Sequence, residues 1–166
     1  MERFIFLSLS LLVVALSLSG KAGADPQCPF GWFFYNGQCY KVFRQRKSWH
    51  EAEMCCRQQE EGSHLASIHS WEESWFVARV VSQNVYLFNV WIGLSDPEKQ
   101  RTWVWSDGSS FRYRSWKRGE PNNLFWNEYC IELWSFSGYL RWNDQRCRSR
   151  RYFICKFQPQ GEGSTW

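Results

Sequence analysis

Beyond residue 24 the chain lacks any apolar run approaching the roughly 20 residues that a membrane-spanning helix needs. Histidine is scarce: there are three, His50, His64 and His69, and the spacing of His64 and His69 does not suit a zinc pair. No Cys-x-x-Cys occurs, and Cys55 and Cys56 are adjacent, so a structural zinc reading of the cysteines fails. There is no nucleophile elbow and no glycine loop built to cradle phosphate, which removes the usual hydrolase and nucleotide-binding classes. Charge of one sign is also modest. The whole chain carries 20 basic and 16 acidic side chains, a net charge of +4. Without Glu2, Arg3 and Lys21 of the leader these become 18 and 15, or +3. That imbalance is too mild to imply a nucleic-acid partner.

The leader is residues 1–24. Arg3 precedes an apolar stretch from Phe4 to Leu18, and Ala22-Gly23-Ala24 forms a small-x-small cleavage site before Asp25. Ser8, Ser10 and Ser17 interrupt the stretch, which argues for a cleaved signal peptide over a retained anchor. The expected product is a secreted, extracellular protein without membrane insertion. Residues 25–157 read as one domain, with no repeats, and residues 158–166 as a polar, Gly-rich flexible tail. All seven cysteines lie after the leader, as in a small domain folded in an oxidising compartment. Seven is odd, so one thiol is left over, and pairing of the other six is open from sequence alone. Most of the twelve tryptophans should be core, because each large ring buries much area.

The patterning predicts an α+β domain. A hairpin is expected near Trp32–Tyr40 and a helix over 49–58, where Ser48 and Glu51 form a capping box. A second helix over 71–81 has its own box in Ser70 and Glu73. Short strands follow at Val90–Leu94, Thr102–Trp105, Ile131–Leu133, Tyr139–Trp142 and Tyr152–Lys156, with a turn at Asp107-Gly108. Between Ser106 and Tyr129 little is periodic. A long irregular loop inside a compact domain is usually functional.

That loop and the strand after it carry the chain's chemistry. Glu120-Pro121-Asn122, then Glu128, then Trp142-Asn143-Asp144 gather three carboxylates and two amides, with Cys130 and Cys147 between and after them. Such an oxygen-rich set suits Ca²⁺, which takes six to eight oxygens in flexible geometry. The pattern resembles the C-type lectin family, whose site is built from a Glu-Pro-Asn triplet, a downstream Glu and a Trp-Asn-Asp triplet. The likeness runs from about Cys28 to Phe157 and includes Trp91-Ile92-Gly93-Leu94, similar to the family's core strand. More narrowly, the leader and the run Asp96-Pro97-Glu98-Lys99-Gln100-Arg101-Thr102-Trp103 resemble the snake-venom mannose-type lectins.

The resemblance implies a C-type lectin-like fold: two helices, two small antiparallel sheets and a long calcium- and sugar-binding loop. It implies disulfides Cys28–Cys39, Cys56–Cys155 and Cys130–Cys147. A helical argument agrees in leaving Cys55 out, since Trp49, Ala52 and Cys56 share one helix face and Cys55 lies about 100° away. The thiol of Cys55 is then either an interchain link or a buried free cysteine. Ser63 and Phe157 stand where galactose-type relatives carry an extra bridge, and Ser110 stands at their dimer-linking cysteine. A covalent dimer through that last position is excluded, while a homodimer or higher oligomer by other means stays open.

By the same resemblance Glu120, Asn122, Glu128, Asn143 and Asp144 are the calcium ligands, and with Pro121 they form the sugar site. Glu120 can only accept a hydrogen bond and Asn122 can donate one, the order associated with equatorial 3- and 4-hydroxyls of mannose-type sugars. A cis bond before Pro121 would turn both flanking side chains the same way. The expected partners are mannose-type glycans on cell-surface glycoproteins and glycolipids, with agglutination where an assembly holds two or more sites. An alternative is a protein-binding toxin of the same fold, acting on clotting factors or platelet receptors. Trp142 is expected in the core. Phe125 and Trp126 either stack on a sugar or stiffen the loop. Arg146, Arg148, Arg150 and Arg151, with Arg112, Arg114, Lys117 and Arg118 upstream, are scattered solvated charge or a stripe for sulfated glycans. No enzymatic role is expected.

Overall fold

The structure, a computed structural model, describes residues 28–160. The signal-peptide expectation for 1–24 and most of the expected tail lie outside the described residues. Among those described there are two α-helices, α1 (Trp49–Arg57) and α2 (Trp71–Asn84). The strands are β1 (Phe33–Tyr35), β2 (Gln38–Lys47), β3 (His64–Leu65), β4 (Val90–Ser95), β5 (Val104–Trp105), β6 (Cys130–Trp134), β7 (Arg141–Gln145) and β8 (Arg151–Phe157). They join in the order β1-β2-β8-β4-β6-β7, with β3 on β8 and β5 on β4. The two small antiparallel sheets expected from the resemblance are therefore continuous. A parallel pairing of β4 with β8, at Val90–Tyr152 and Trp91–Phe153, fastens them together.

All six residues of β4 are buried, because β8 and β6 flank it and helices and loops cover both faces. Gly93 sits in β4 for a steric reason. A Cβ there would lie 2.5 Å from the Leu65 carbonyl oxygen and 2.8 Å from Ser106 Oγ. The close approach lets Gly93 N–H donate to Ala66 O at 2.9 Å and its carbonyl accept from Ser106 N at 2.8 Å.

α1 begins as its sequence dictates. Ser48 N donates to Glu51 Oε2 at 2.8 Å and Glu51 N donates back to Ser48 Oγ at 3.4 Å. Trp49, Ala52 and Cys56 are its buried residues, and Trp49 Nε1 donates to the Ile92 carbonyl at 2.8 Å, tying the helix to β4. Cys56 is bonded to Cys155 across 99 positions, a loop for which chain entropy gives up to ~4.7 kcal/mol. Cys28–Cys39 and Cys130–Cys147 are also bonded, and Cys55 is free and half-buried.

The second box is only half formed. Ser70 Oγ accepts from Glu73 N at 3.0 Å, but the Glu73 carboxylate turns inward instead of reaching back to Ser70 N. It accepts from Lys156 Nζ and Tyr40 Oη, each at 2.6 Å, and from His69 N at 2.7 Å. The ammonium and the hydroxyl that this buried carboxylate receives come from β8 and β2, which no local sequence window shows. α2 also runs three residues beyond the expected Val81, to Asn84.

The long loop is irregular but pinned. Trp142, fully buried, is ringed by Trp105, Tyr113 and Trp116 at centroid distances of 5.7, 5.7 and 5.6 Å. Trp116 forms an isolated parallel bridge to Trp142, with Trp142 N donating to Ser115 O at 2.8 Å and Lys117 N to Trp142 O at 2.9 Å. This bridge brings the segment before Glu120 against β7. The strand expected at Tyr139–Trp142 starts later, at Arg141, because Gly138 and Tyr139 adopt left-handed φ values of 65° and 67°.

Candidate functional site

Asp144 is the centre of the loop's hydrogen bonding. It lies on β7, on the same side as Trp142, and is completely buried. Its Oδ1 accepts from Asn122 N at 3.1 Å and its Oδ2 from Asn123 N at 2.8 Å. The peptide bond just before them, between Glu120 and Pro121, is cis. Glu120 Oε2 in turn accepts from Asn122 N at 3.1 Å.

Asn123 takes a left-handed φ of 49°, which asparagine tolerates better than most residues. Its Oδ1 accepts from Glu128 N at 2.9 Å, closing the turn. Leu124 N then donates both to Asn122 Oδ1 at 2.8 Å and to Glu128 Oε2 at 3.0 Å. Glu120, Asn122, Glu128 and Asp144 thus belong to one hydrogen-bonded loop. The amide oxygen of Asn122 faces the loop backbone, which leaves its NH₂ group as a donor.

Asn143 is not brought into that network. On β7 the side chains alternate, so Asn143 lies opposite Asp144 and pairs in register with Glu132 of β6. Its Nδ2 donates to Glu132 Oε1 at 3.0 Å. Glu132 is itself buried, and is held by Arg151 Nε at 2.6 Å and Asn89 Nδ2 at 2.7 Å. Anchoring the nitrogen makes Oδ1 the remaining polar end of Asn143.

The carboxylates strain against one another. Burial pushes the Glu120 carboxyl above its usual range, and the hydrogen bond to Asp144 and its charge add to this; Lys117 and the Asn122 N–H oppose it. Burial also raises Glu128, with the Asp144 and Glu132 charges adding, against the Leu124 N–H and Arg146. Two cations stand at the edge. Arg101 Nη1 is 3.5 Å from Asp144 Oδ2, and Lys117 Nζ is 3.7 Å from Glu120 Oε1. Arg101 Nη2 also donates to Pro121 O at 2.9 Å. Among the described residues no three acidic, histidine or cysteine side chains converge as a finished metal cage. The donor chemistry of the loop nonetheless suits a hard cation: oxygen only, three carboxylates and the Asn122 amide, with like charges crowded at low exposure.

Four further residues shape this site without a motif of their own in the sequence: Asn123, Lys117, Arg101 and Glu132. Only the Asn-Asn doublet after Pro121 gave a local signal, of a turn; the other three act through space.

This fold and this loop define a C-type lectin domain, and the Lectin C-type domain profile matches residues 45–157. The chain belongs to that family. It is 64% identical over 166 residues, all of both chains, to C-type lectin lectoxin-Lio1 of Erythrolamprus poecilogyrus. It is 54% identical over 159 residues to a C-type lectin mannose-binding isoform of Oxyuranus scutellatus, covering 94% of this chain and 98% of that one. Among solved structures, human lithostathine matches with a TM-score of 0.75 at 37% identity, covering 79% of this chain and 99% of its own. The C-type lectin CEL-I of Cucumaria echinata has a TM-score of 0.75 at 27% identity, over 81% of this chain and 99% of its own. Both snake sequences carry the name C-type lectin. No helix among the described residues is long and apolar enough to cross a membrane.

Proposed function

We propose that the chain is a secreted, calcium-dependent lectin for mannose-type sugars on cell-surface glycoconjugates, with Glu120, Asn122, Glu128, Asn143 and Asp144 holding one Ca²⁺. The observation that carries this reading is the buried Asp144, whose bonds to Asn122 and Asn123 align Glu120, Asn122 and Glu128 in one loop. A bound Ca²⁺ would supply open coordination positions for two neighbouring sugar hydroxyls and would relieve the repulsion among the carboxylates.

The chain's own residues then sort the sugar. Glu120 and Glu128 accept hydroxyl protons, and the NH₂ group of Asn122 donates to a hydroxyl oxygen, while Asn143, its nitrogen held by Glu132, keeps its Oδ1 for the ion. Glu132 bears on this by fixing the rotation of the Asn143 amide. Pro121 shapes the loop, and its carbonyl is tied to Arg101. The named relative from Oxyuranus scutellatus, called mannose-binding, supports the same sugar class. The leader supports secretion, and the lectoxin relatives support a venom role.

The test is retention of the mature protein on immobilised mannose and galactose, first in millimolar calcium and then in EDTA. Mannose retention released by EDTA is expected. Absence of retention on either sugar, with calcium shown to bind, would replace this reading with a protein-binding one.

A further inference from the structure

A cleft of about 840 Å³ lies beside the loop, between the start of α1, the turn after β4 and the Cys130–Cys147 bridge. Trp49, His50, Lys99, Tyr129, Arg146 and Arg148 line it. The three certain cations, Lys99, Arg146 and Arg148, are exposed, and none takes part in an ion pair among the described residues. Lys99 Nζ lies 5.4 Å from the centre of the Tyr129 ring and Arg146 Cζ 5.9 Å from that of Phe125, so their nearest recorded partners are neutral rings. Asp96 also borders the cleft, but its carboxylate is buried and already accepts from Gln100 N at 3.1 Å and Arg101 N at 2.8 Å. Arg146 also faces the Glu128 carboxyl, but Lys99 and Arg148 give the cleft positive charge that no ion pair among the described residues compensates.

Three segments join this cleft to the lectin loop. Asn127 lines it and directly precedes Glu128. Arg146 follows Asp144 closely on the chain. Lys99 belongs to the turn whose Arg101 sits on Asp144 and Pro121. Phe125 of the loop, 72% exposed, lies under the Arg146 guanidinium that lines the cleft.

We infer that this cleft takes an anionic substituent, a sulfate ester or a carboxylate, carried on the same glycan whose neutral hydroxyls occupy the loop. The inference rests on the lectin reading and narrows its ligand to acidic oligosaccharides. Guanidinium groups match the oxygens of either anion through paired N–H donors, while a lysine adds a point charge. The half-buried ring of Tyr129, above the buried Trp49, offers a face to the apolar side of a sugar ring.

The experiment measures binding of the mature protein to neutral, sulfated and carboxymethylated mannan by biolayer interferometry, with calcium and with EDTA. Lys99→Ser/Arg148→Ser is run alongside. Sulfated or carboxymethylated mannan should bind about tenfold more tightly than neutral mannan at low salt, and the advantage should shrink as salt screens it. The arm showing the gain identifies the anion. The double variant should lose that gain and keep its binding to neutral mannan, and EDTA should abolish all binding.

Calcium-dependent binding to neutral mannan with no gain from either anion would overturn this inference alone. Absence of binding to neutral mannan would overturn the lectin reading and this inference with it. Sulfated mannan binding that survives EDTA, or displacement by polyglutamate as readily as by sulfated mannan, would also overturn it, because the cleft would then act apart from the sugar.

Discussion

Glu73 beneath α2 and Asp144 beneath the long loop are both buried carboxylates, yet the fold balances them differently. Glu73 receives a buried Lys156 ammonium at 2.6 Å, a phenol hydroxyl and a backbone amide. Asp144 receives two backbone amides, and its cation, Arg101, stands off at 3.5 Å and is partly exposed. Glu120 and Glu128 crowd the second site, and burial, with the charge of Asp144 adding, makes both hold their protons more tightly. The first carboxylate is complete within the protein. The second group is arranged in space but short of positive charge, which is the condition a binding site for an external cation requires.

The largest expected effect lies on the completed side. Glu73→Ala strands the Lys156 ammonium in the interior and should cost about 3–5 kcal/mol of stability in denaturant unfolding. A loss below 1 kcal/mol, roughly the value of a surface pair, would erase the contrast. Next comes the open side. With calcium affinities of 10⁻⁴ to 10⁻³ M, typical of extracellular sites, 10 mM calcium should stabilise the protein by about 1.4–2.7 kcal/mol. Glu128→Gln should remove most of that gain while leaving stability in EDTA within about 1 kcal/mol of the parent. A calcium response unchanged in that variant would dissociate Glu128 from the ion.

A subtler change sharpens the account of sugar choice. Glu120→Gln with Asn122→Asp exchanges acceptor and donor across Pro121, and should shift preference from mannose towards galactose by roughly tenfold in competition assays. Unchanged preference would refute the donor–acceptor ordering.

The smallest effect concerns Asp107, between the two regions. Burial pushes its carboxyl up, but hydrogen bonds from Ser109 and Ser67 and the charge of Lys156 outweigh this and leave it below its ordinary 3.8. Its contribution is therefore present above that value and lost as pH falls through the depressed folded-state one. The stability difference between the parent and Asp107→Asn should shrink on acidification below about pH 4. A difference that instead grows with acid would reverse the sign.

Much of the first region was legible because its signals are local. The Ser48–Glu51 box, the inward face of Trp49, Ala52 and Cys56, and the apolar run of β4 each lie within a few residues. The Ser70–Glu73 box misled for the opposite reason: Lys156 and Tyr40, far off in the chain, draw Glu73 away from the helix end. The merging of the two sheets was equally hidden, since it depends on a parallel pairing between β4 and β8.

In the loop, the order of Glu120, Asn122, Glu128 and Asp144 marked residues that do become neighbours. The position of Asn143 was not legible, because it follows from the two-residue alternation of β7 and from Glu132 on the facing strand. Nor did any motif flag Arg101 and Lys117, whose place beside the carboxylates is set by the turn after β4 and by the bridge of Trp116 to Trp142.

The most direct test is calorimetric titration of calcium into EDTA-stripped mature protein, with and without methyl α-mannoside. The account predicts one calcium site in the 10⁻⁴ to 10⁻³ M range, bound more tightly when the mannoside is present, as two ligands sharing one site must show. Absence of calcium binding, or mannoside affinity that is the same with and without calcium, would contradict it.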